Sequence, residues 1–511
     1  MKPRAFLAGA VTAALLLTGC GGSAETPGGS PATTTLTYGS IDRGESLDAA
    51  SAYAGWFNSR DGITETLVDV DQQLNLIPKL ATEWKNVDEL TWTFTLRDGV
   101  TFHNGSPMTA ETVKASLEHT IATNVRAEAQ MPIASMSAQG QTLTITTKTP
   151  LAALPSILSD PMTGIQAVGD GIDPDTKPQG TGPFKVSEFT PKQKLELDAH
   201  EGYWAGKPKL THVTWRAYED LQAMALALQS GEIQLAVQPE ASGLAVFSDT
   251  TRYTTWQVTS TRADTAILNT ASPVTGDPRV REAINQALDR DSYPTVMNGM
   301  GKGTYGLFPD NVVFGGTEGL DLKVKSKNLE KAKALFLEMG YAEADGKLVK
   351  DDQPLTLRVL TYPKRPQLGR MAQLLQADLR SIGVEVQISE LPSTSEQMKS
   401  GEYEIGMYSF AMAPTGDSQY FFSTMLRTGG ESNFSHYSST ELDSALDDLA
   451  GTYDAEQRIT KTRGLGQIAL NDMPVVPFGH AQWWVVSNAH VKGLNVLPTE
   501  YHLLTHETHA D

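Results

Sequence analysis

Apolar positions recur with two different periods along this chain, and the two alternate through most of its length. Residues 90–96 (LTWTFTL) place an apolar side chain at every second position, the pattern of a half-buried strand, and Arg97-Asp98-Gly99 closes it with a turn. Thr109 then stands as an N-cap, with Thr112 rather than Glu at the third helical position, for a helix predicted over 110–121. The clearest unit lies later. Residues 355–362 read as a strand, and 367–382 as an amphipathic helix with Leu368, Met371, Leu375, Leu379 and Ile382 on one face. Gly383 stops that helix and 384–389 returns as a strand, which predicts a parallel strand pair with a right-handed crossover. Asp277-Pro278 opens a further helix through Asp289, with proline at the first helical position. The Gly-rich stretch 299–303 follows a helix instead of opening one, and reads as a turn rather than a phosphate loop. The chain is mixed α/β throughout, and no linker after Leu36 separates independent domains, so domains are expected to interleave.

The first residues follow a different pattern. Met1-Lys2-Pro3-Arg4 is a basic start, and residues 5–16 form an apolar run shorter than the roughly 20 residues that span a bilayer. The run ends in Leu17-Thr18-Gly19-Cys20, which resembles the bacterial lipobox, whose cysteine is lipidated and becomes the first mature residue. An ordinary signal peptide with a chance cysteine is the alternative. Cys20 is the one cysteine in 511 residues. Residues 1–19 are therefore expected to be a lipoprotein signal peptide, and 20–35, rich in Gly, Ser, Pro and Thr, a flexible tether. The body is expected outside the cytoplasm, held to the cell membrane by the lipid.

Composition narrows the function. Lys and Arg total 41 against 60 Asp and Glu, a formal net charge of −19. Such a chain is repelled by nucleic acid and carries no basic run to compensate. Cysteine-dependent catalysis and thiolate metal sites are excluded beyond Cys20. The nucleophile elbow, the zinc-hydrolase motif and the phosphate-binding loop are missing. His502, His506 and His509 are spaced to share a face if the tail is helical; a solvated tail is one reading, incidental divalent-metal binding the other.

Four blocks in the same order carry a resemblance. They are 92–105 (WTFTLRDGVTFHNG) running into 107–113 (PMTAETV), 180–184 (GTGPF) with 203–208 (YWAGKP), 277–284 (DPRVREAI) to Asp289-Arg290, and 432–434 (SNF) through Tyr437. On these the chain resembles the family 5 extracellular solute-binding proteins, the large receptors of ABC importers for peptides, nickel complexes and some opines or sugars. The blocks also have a plain reading as fold-building residues, with Tyr203-Trp204 as an apolar anchor and Gly182-Pro183 fixing a turn.

The resemblance implies a two-lobed α/β fold of the periplasmic-binding-protein type II class, with an extra lobe and a hinge. Residues 36–56, 177–262 and 485–511 would form lobe I, 57–176 the extra lobe and 264–484 lobe II. It implies a monomeric binding protein rather than an enzyme, with no cofactor. Its partners would be a short peptide or a metal chelate, the permease and ATPase subunits of an importer, and a membrane through the lipid. In peptide-binding members an aspartate pairs with the ligand's α-ammonium, and Asp417 falls at that position, with Tyr420 close by; a loop-capping Asp is the alternative. Arg365 and Arg370, at the start of the strand–helix–strand helix, could clamp a carboxylate or simply be exposed. Arg427 is a third candidate, by proximity to Asp417. On the nickel side, 422–427 is similar to the matching stretch of nickel receptors, and His436 lies where such a receptor contributes a metal-binding histidine; a polar loop residue is the alternative. Met162 stands where nickel receptors use an arginine, and 411–414 replaces a bulkier loop, which predicts a roomier pocket. A secreted hydrolase is the alternative from a different class, because paired carboxylates of a glycosidase carry no sequence motif.

Overall fold

A computed structural model describes residues 34–41 and 43–511. Cys20 and the expected signal peptide lie outside the described residues. Thr35, expected at the end of the tether, instead opens the strand Thr35–Ser40.

One long sheet runs through the molecule. Its order is Phe184–Thr190, Lys194–Ala199, His212–Ala217, Thr35–Ser40, Leu235–Val237, Val475–Asn488, Tyr253–Leu268, Ile405–Ala411, Thr356–Thr361 and Glu385–Glu390. Strands Tyr253–Leu268 and Val475–Asn488 hold 16 and 14 residues and pair antiparallel, so each passes from one half of the sheet into the other. Their register shifts between Thr259 and Ala263 and again between Asp264 and Thr265. Extra residues on one strand bend and twist a pair locally, and the two halves of the sheet are joined through this bent crossing. The expected boundary at 262–264 thus falls inside a strand.

The strand–helix–strand unit forms as its periodicity requires. Thr356–Thr361 and Glu385–Glu390 pair in parallel around the helix Pro366–Ser381. Leu368, Met371, Leu375 and Leu379 are all buried on the face read from their spacing, and join Ile284, Phe336 and Phe478 in one core. The helix Ala110–Thr123 starts at Thr109, whose hydroxyl accepts from the Thr112 N–H while the Thr112 hydroxyl accepts from the Thr109 N–H. It covers a separate four-stranded sheet built from Ala81–Asn86, Thr91–Leu96, Thr142–Thr147 and Ile133–Gln139. That sheet has its own core, including Trp92, Phe94, Phe102 and Leu117.

Four expectations need correction. Gly301–Gly303 is not a free turn; it pairs antiparallel with residues 479–481 of the long strand Val475–Asn488, where a Cβ on Gly303 would sit 2.3 Å from the Arg290 carbonyl oxygen. The helix opened by Asp277-Pro278 ends at Ala287 rather than Asp289. The tail histidines are neither helical nor free: His502 lies 2.8 Å from an Asp69 carboxylate oxygen, and His509 sits in a strand pair with Lys492. Tyr203 and Trp204 anchor through hydrogen bonds as well as rings, both donating to the buried Glu65 carboxylate at 2.7 and 3.0 Å.

Candidate functional site

A short helix, Val125–Gln130, delivers the central cation. It begins because the Asn124 side chain accepts from the N–H groups of Arg126 and Ala127, while its amide donates to the Ala50 carbonyl. Arg126 then reaches Asp160, 3.1 Å away, and contacts the Met162 sulfur at the same distance. Asp160 is 1% exposed, and its second oxygen accepts the Met162 N–H at 2.9 Å. Burial is the largest influence on the Arg126 guanidinium and opposes its charge, but Asp160 and neighbouring tyrosines outweigh it, so its pKa is raised. The Nε of Arg126 is buried with no hydrogen-bond partner among the described residues.

Aromatic rings enclose this group. The guanidinium lies 5.5 Å from the Tyr53 ring centroid and 5.8 Å from that of Trp56, within cation–π range. Trp56 packs against Tyr53 at 4.7 Å and Tyr501 at 4.8 Å. The Trp56 Nε1 and the Tyr501 hydroxyl are buried without partners among the described residues. Unmet donors on three neighbouring residues are costly in a finished core, and a bound ligand's acceptors would offset that cost.

Residues after the strand Ile405–Ala411 supply another wall. Tyr420 stacks on Phe410 with centroids 5.8 Å apart and planes 11° from parallel, and burial raises its hydroxyl pKa. Between Arg126 and Tyr420 opens a cavity of about 650 Å³, within the range of small-molecule sites. Pro132, Pro150, Leu151 and Ile157, from the region of the four-stranded sheet, line one side, and Thr415, Asp417, Gln419, Arg427 and Ala450 the other.

At the crossing of the two long strands lies a second charged group. Glu500 accepts from the Ser260 hydroxyl at 2.5 Å and lies 3.4 Å from the Arg262 Nε, and its backbone carbonyl accepts from Arg60 at 2.7 Å. Its φ of +69° places a glutamate in the left-handed region, a strain that marks functional segments. Burial works to raise the Glu500 pKa, but Arg262, Ser260, Arg365 and Arg60 together hold it low. Arg365 stands close by, and its guanidinium makes no hydrogen bond or ion pair among the described residues. Burial first, then Arg262, lowers its pKa.

Of the residues marked from sequence, Asp417, Tyr420 and Arg427 come together on the cavity, and Arg365 faces the hinge. Arg427 is half-exposed and bonded to Asp447 at 2.6 Å. Arg370 is exposed and donates to the Val296 carbonyl at 3.0 Å, away from the cavity. His436 also lies apart: its Nε2 is 2.9 Å from the Met398 carbonyl, on a backbone with φ of 52°. Among the described residues no three His, Cys, Asp or Glu side chains converge as a metal site. Arg126, Asp160, Trp56, Tyr501 and Glu500 were not marked from sequence, since each gains its role from partners far along the chain.

Known proteins share this architecture. The family model described as bacterial extracellular solute-binding proteins, family 5 middle, matches residues 75–433. The nickel-binding protein NikA of Staphylococcus aureus is 27% identical over 450 residues, 88% of this chain and 89% of that protein. Its crystal structure with Ni(L-His)2 superposes with a TM-score of 0.76 at 25% identity, covering 94% and 100% of the two chains. The di/tripeptide-binding protein 2 of Pseudomonas aeruginosa is 26% identical over 470 residues, 83% and 84% of the chains. A nickel ABC transporter structure from Bacillus halodurans is 31% identical, covers 93% of this chain and 100% of its own, and has a TM-score of 0.82. With that match and the hinged two-lobed fold, the chain belongs to the family 5 bacterial extracellular solute-binding proteins.

Proposed function

We propose that this protein is the receptor of an ABC importer and captures a small, carboxylate-bearing solute in the interlobe cleft, handing it to a permease chemically unaltered. The observation that carries this reading is the pair of under-used guanidiniums. Arg126 keeps a buried Nε without an acceptor among the described residues, and the Arg365 guanidinium feels Glu500 and Asp264 only at a distance, with no hydrogen bond or ion pair of its own among the described residues. A ligand carboxylate supplies what both lack, and a fork-shaped donor binds it bidentately. Closure then removes water from the cleft, which strengthens each such contact and couples binding to one shape.

Of the two cargo classes, a preformed metal chelate fits best. A chelate brings its own metal ligands and offers carboxylates outward, and relatives named as nickel-binding accompany this chain. A short peptide is the second reading, favoured by the cavity volume of about 650 Å³ and by the di/tripeptide-binding relative. Calorimetry with nickel bis-histidine, bare nickel and a peptide panel separates them, read alongside the radius of gyration. Saturable 1:1 binding with compaction is expected for one class, and Arg126→Met should weaken it at least tenfold. Turnover of a tested solute without compaction would overturn the receptor reading in favour of a secreted hydrolase.

The Leu-x-Gly-Cys sequence supports a lipid anchor at Cys20. Intact-mass measurement of membrane-extracted protein should find a chain starting at Cys20 with added acyl mass, lost in Cys20→Ala.

A further inference from the structure

Asp417 lines the interlobe cavity, yet its charge is already taken. Its Oδ2 accepts two hydrogen bonds from Arg458, at 2.6 Å from a terminal nitrogen and 3.1 Å from Nε. Its Oδ1 accepts the Gln419 N–H at 2.7 Å. The two charged side chains are only 11% and 14% exposed. Arg458 is itself held from three more directions, by the carbonyls of Leu449 (2.7 Å) and Thr452 (3.0 Å) and by the Gln419 side-chain oxygen (3.2 Å). It stands behind the cavity wall and is absent from the lining. A carboxylate offers about four lone-pair sites; three are occupied here, leaving one for a neutral N–H or a water.

We infer that Arg458 determines specificity: by neutralising Asp417 from behind, it stops the cavity from selecting ligands that carry a free primary ammonium. This rests on the receptor reading above and sharpens its cargo class. An incoming ammonium would share one carboxylate with a fixed guanidinium, so its attraction is reduced while the cost of stripping its water stays whole. The favoured cargo is then an anion whose amine is absent, blocked or coordinated to a metal. The remaining carboxylates facing the cavity do not replace Asp417. Asp447 pairs with Arg427, and Glu431 lies exposed, where solvent and salt weaken it.

The test compares alanyl-histidine with N-acetyl-alanyl-histidine by calorimetry, in wild type, Arg458→Met, Arg458→Lys and the Arg458→Met/Asp417→Asn double variant. In wild type and Arg458→Lys the two probes should differ less than threefold. Arg458→Met should shift the ratio at least tenfold toward the free amine, and the double variant should cancel that shift. An unchanged ratio in Arg458→Met, including parallel weakening of both probes from a loosened loop, overturns the inference. So does a tenfold free-amine preference in wild type. Failure of the receptor reading would look different: no tested solute would compact any of the proteins.

Discussion

Asp160 uses one oxygen to hold Arg126 and the other to cap the turn Pro161–Thr163. These roles can be separated. Asp160→Asn keeps an oxygen acceptor for the Met162 N–H but removes the charge that fixes the guanidinium. Leaving Arg126 buried without a counter-charge should cost about 3 kcal/mol of stability, and the freed guanidinium should bind cargo about tenfold more weakly. Denaturant titration and calorimetry on the same protein check both; unchanged affinity would show that Arg126 is positioned by Tyr53 and Trp56 instead. Position is legible in the sequence where it follows from local structure. Asp417 and Tyr420 follow a strand and a loop directly and do face the cavity. Arg126 gave little signal, because its helix spans six residues and its partner is 34 positions away. The sequence does not show which arginine is buried. His436 sits on a backbone with φ of 52°, and its Nε2 lies 2.9 Å from the Met398 carbonyl oxygen, a contact its sequence neighbourhood does not announce.

At the scale of elements, local periodicity was enough for the strand–helix–strand unit and the Thr109-capped helix. The pairing of Tyr253–Leu268 with Val475–Asn488 was not legible, because strands more than 200 residues apart carry no mutual signal in their own patterns. Gly301–Gly303 was misread for the same reason: its partner strand is remote. His480 occupies that crossing, opposite Ala263, and is 2% exposed. Burial pushes its pKa down from 6.5 to about 4, with Asp310, Lys302 and the backbone of Arg262 and Gly306 as smaller influences. The unfolded imidazole takes a proton below about 6.5 while the folded one stays neutral to about 4. The unfolded state therefore binds more protons in that window. The stabilisation is fully present above pH 6.5 and is lost as pH falls toward 4, by at most about 3 kcal/mol. Unfolding free energies measured between pH 7 and 4.5 should fall less steeply in His480→Gln than in wild type. Parallel curves would mean that other groups account for the acid sensitivity of the hinge.

Across the whole molecule, residues 70–159 and 412–453 meet directly, and a hinged receptor would make such contacts on closing. Ser159 donates to the Thr415 carbonyl at 3.1 Å, the Ala152 N–H to Ala450 at 2.9 Å, and the Tyr453 hydroxyl to Glu89 at 2.5 Å. Val70 and Leu74 share an apolar core with Met412, Phe421 and Phe422 across the same junction. Gly416 lies at this junction. Its φ is +72°, and a Cβ there would sit 2.8 Å from the Val70 side chain and 3.1 Å from the Leu74 carbonyl oxygen. If this junction parts on opening, a side chain at 416 would penalise closure beyond the backbone strain it adds to both forms. Gly416→Val should enlarge the radius of gyration without ligand and weaken cargo binding at least tenfold, because affinity scales with the population of the closed form. Gly416→Ala should fall between. The contrast with Arg126→Met separates the two causes: that variant loses a ligand contact but should close as wild type does when empty. Equal scattering from wild type and Gly416→Val, with equal affinity, would mean that this junction is not part of the closing motion and that the hinge strands alone set the equilibrium.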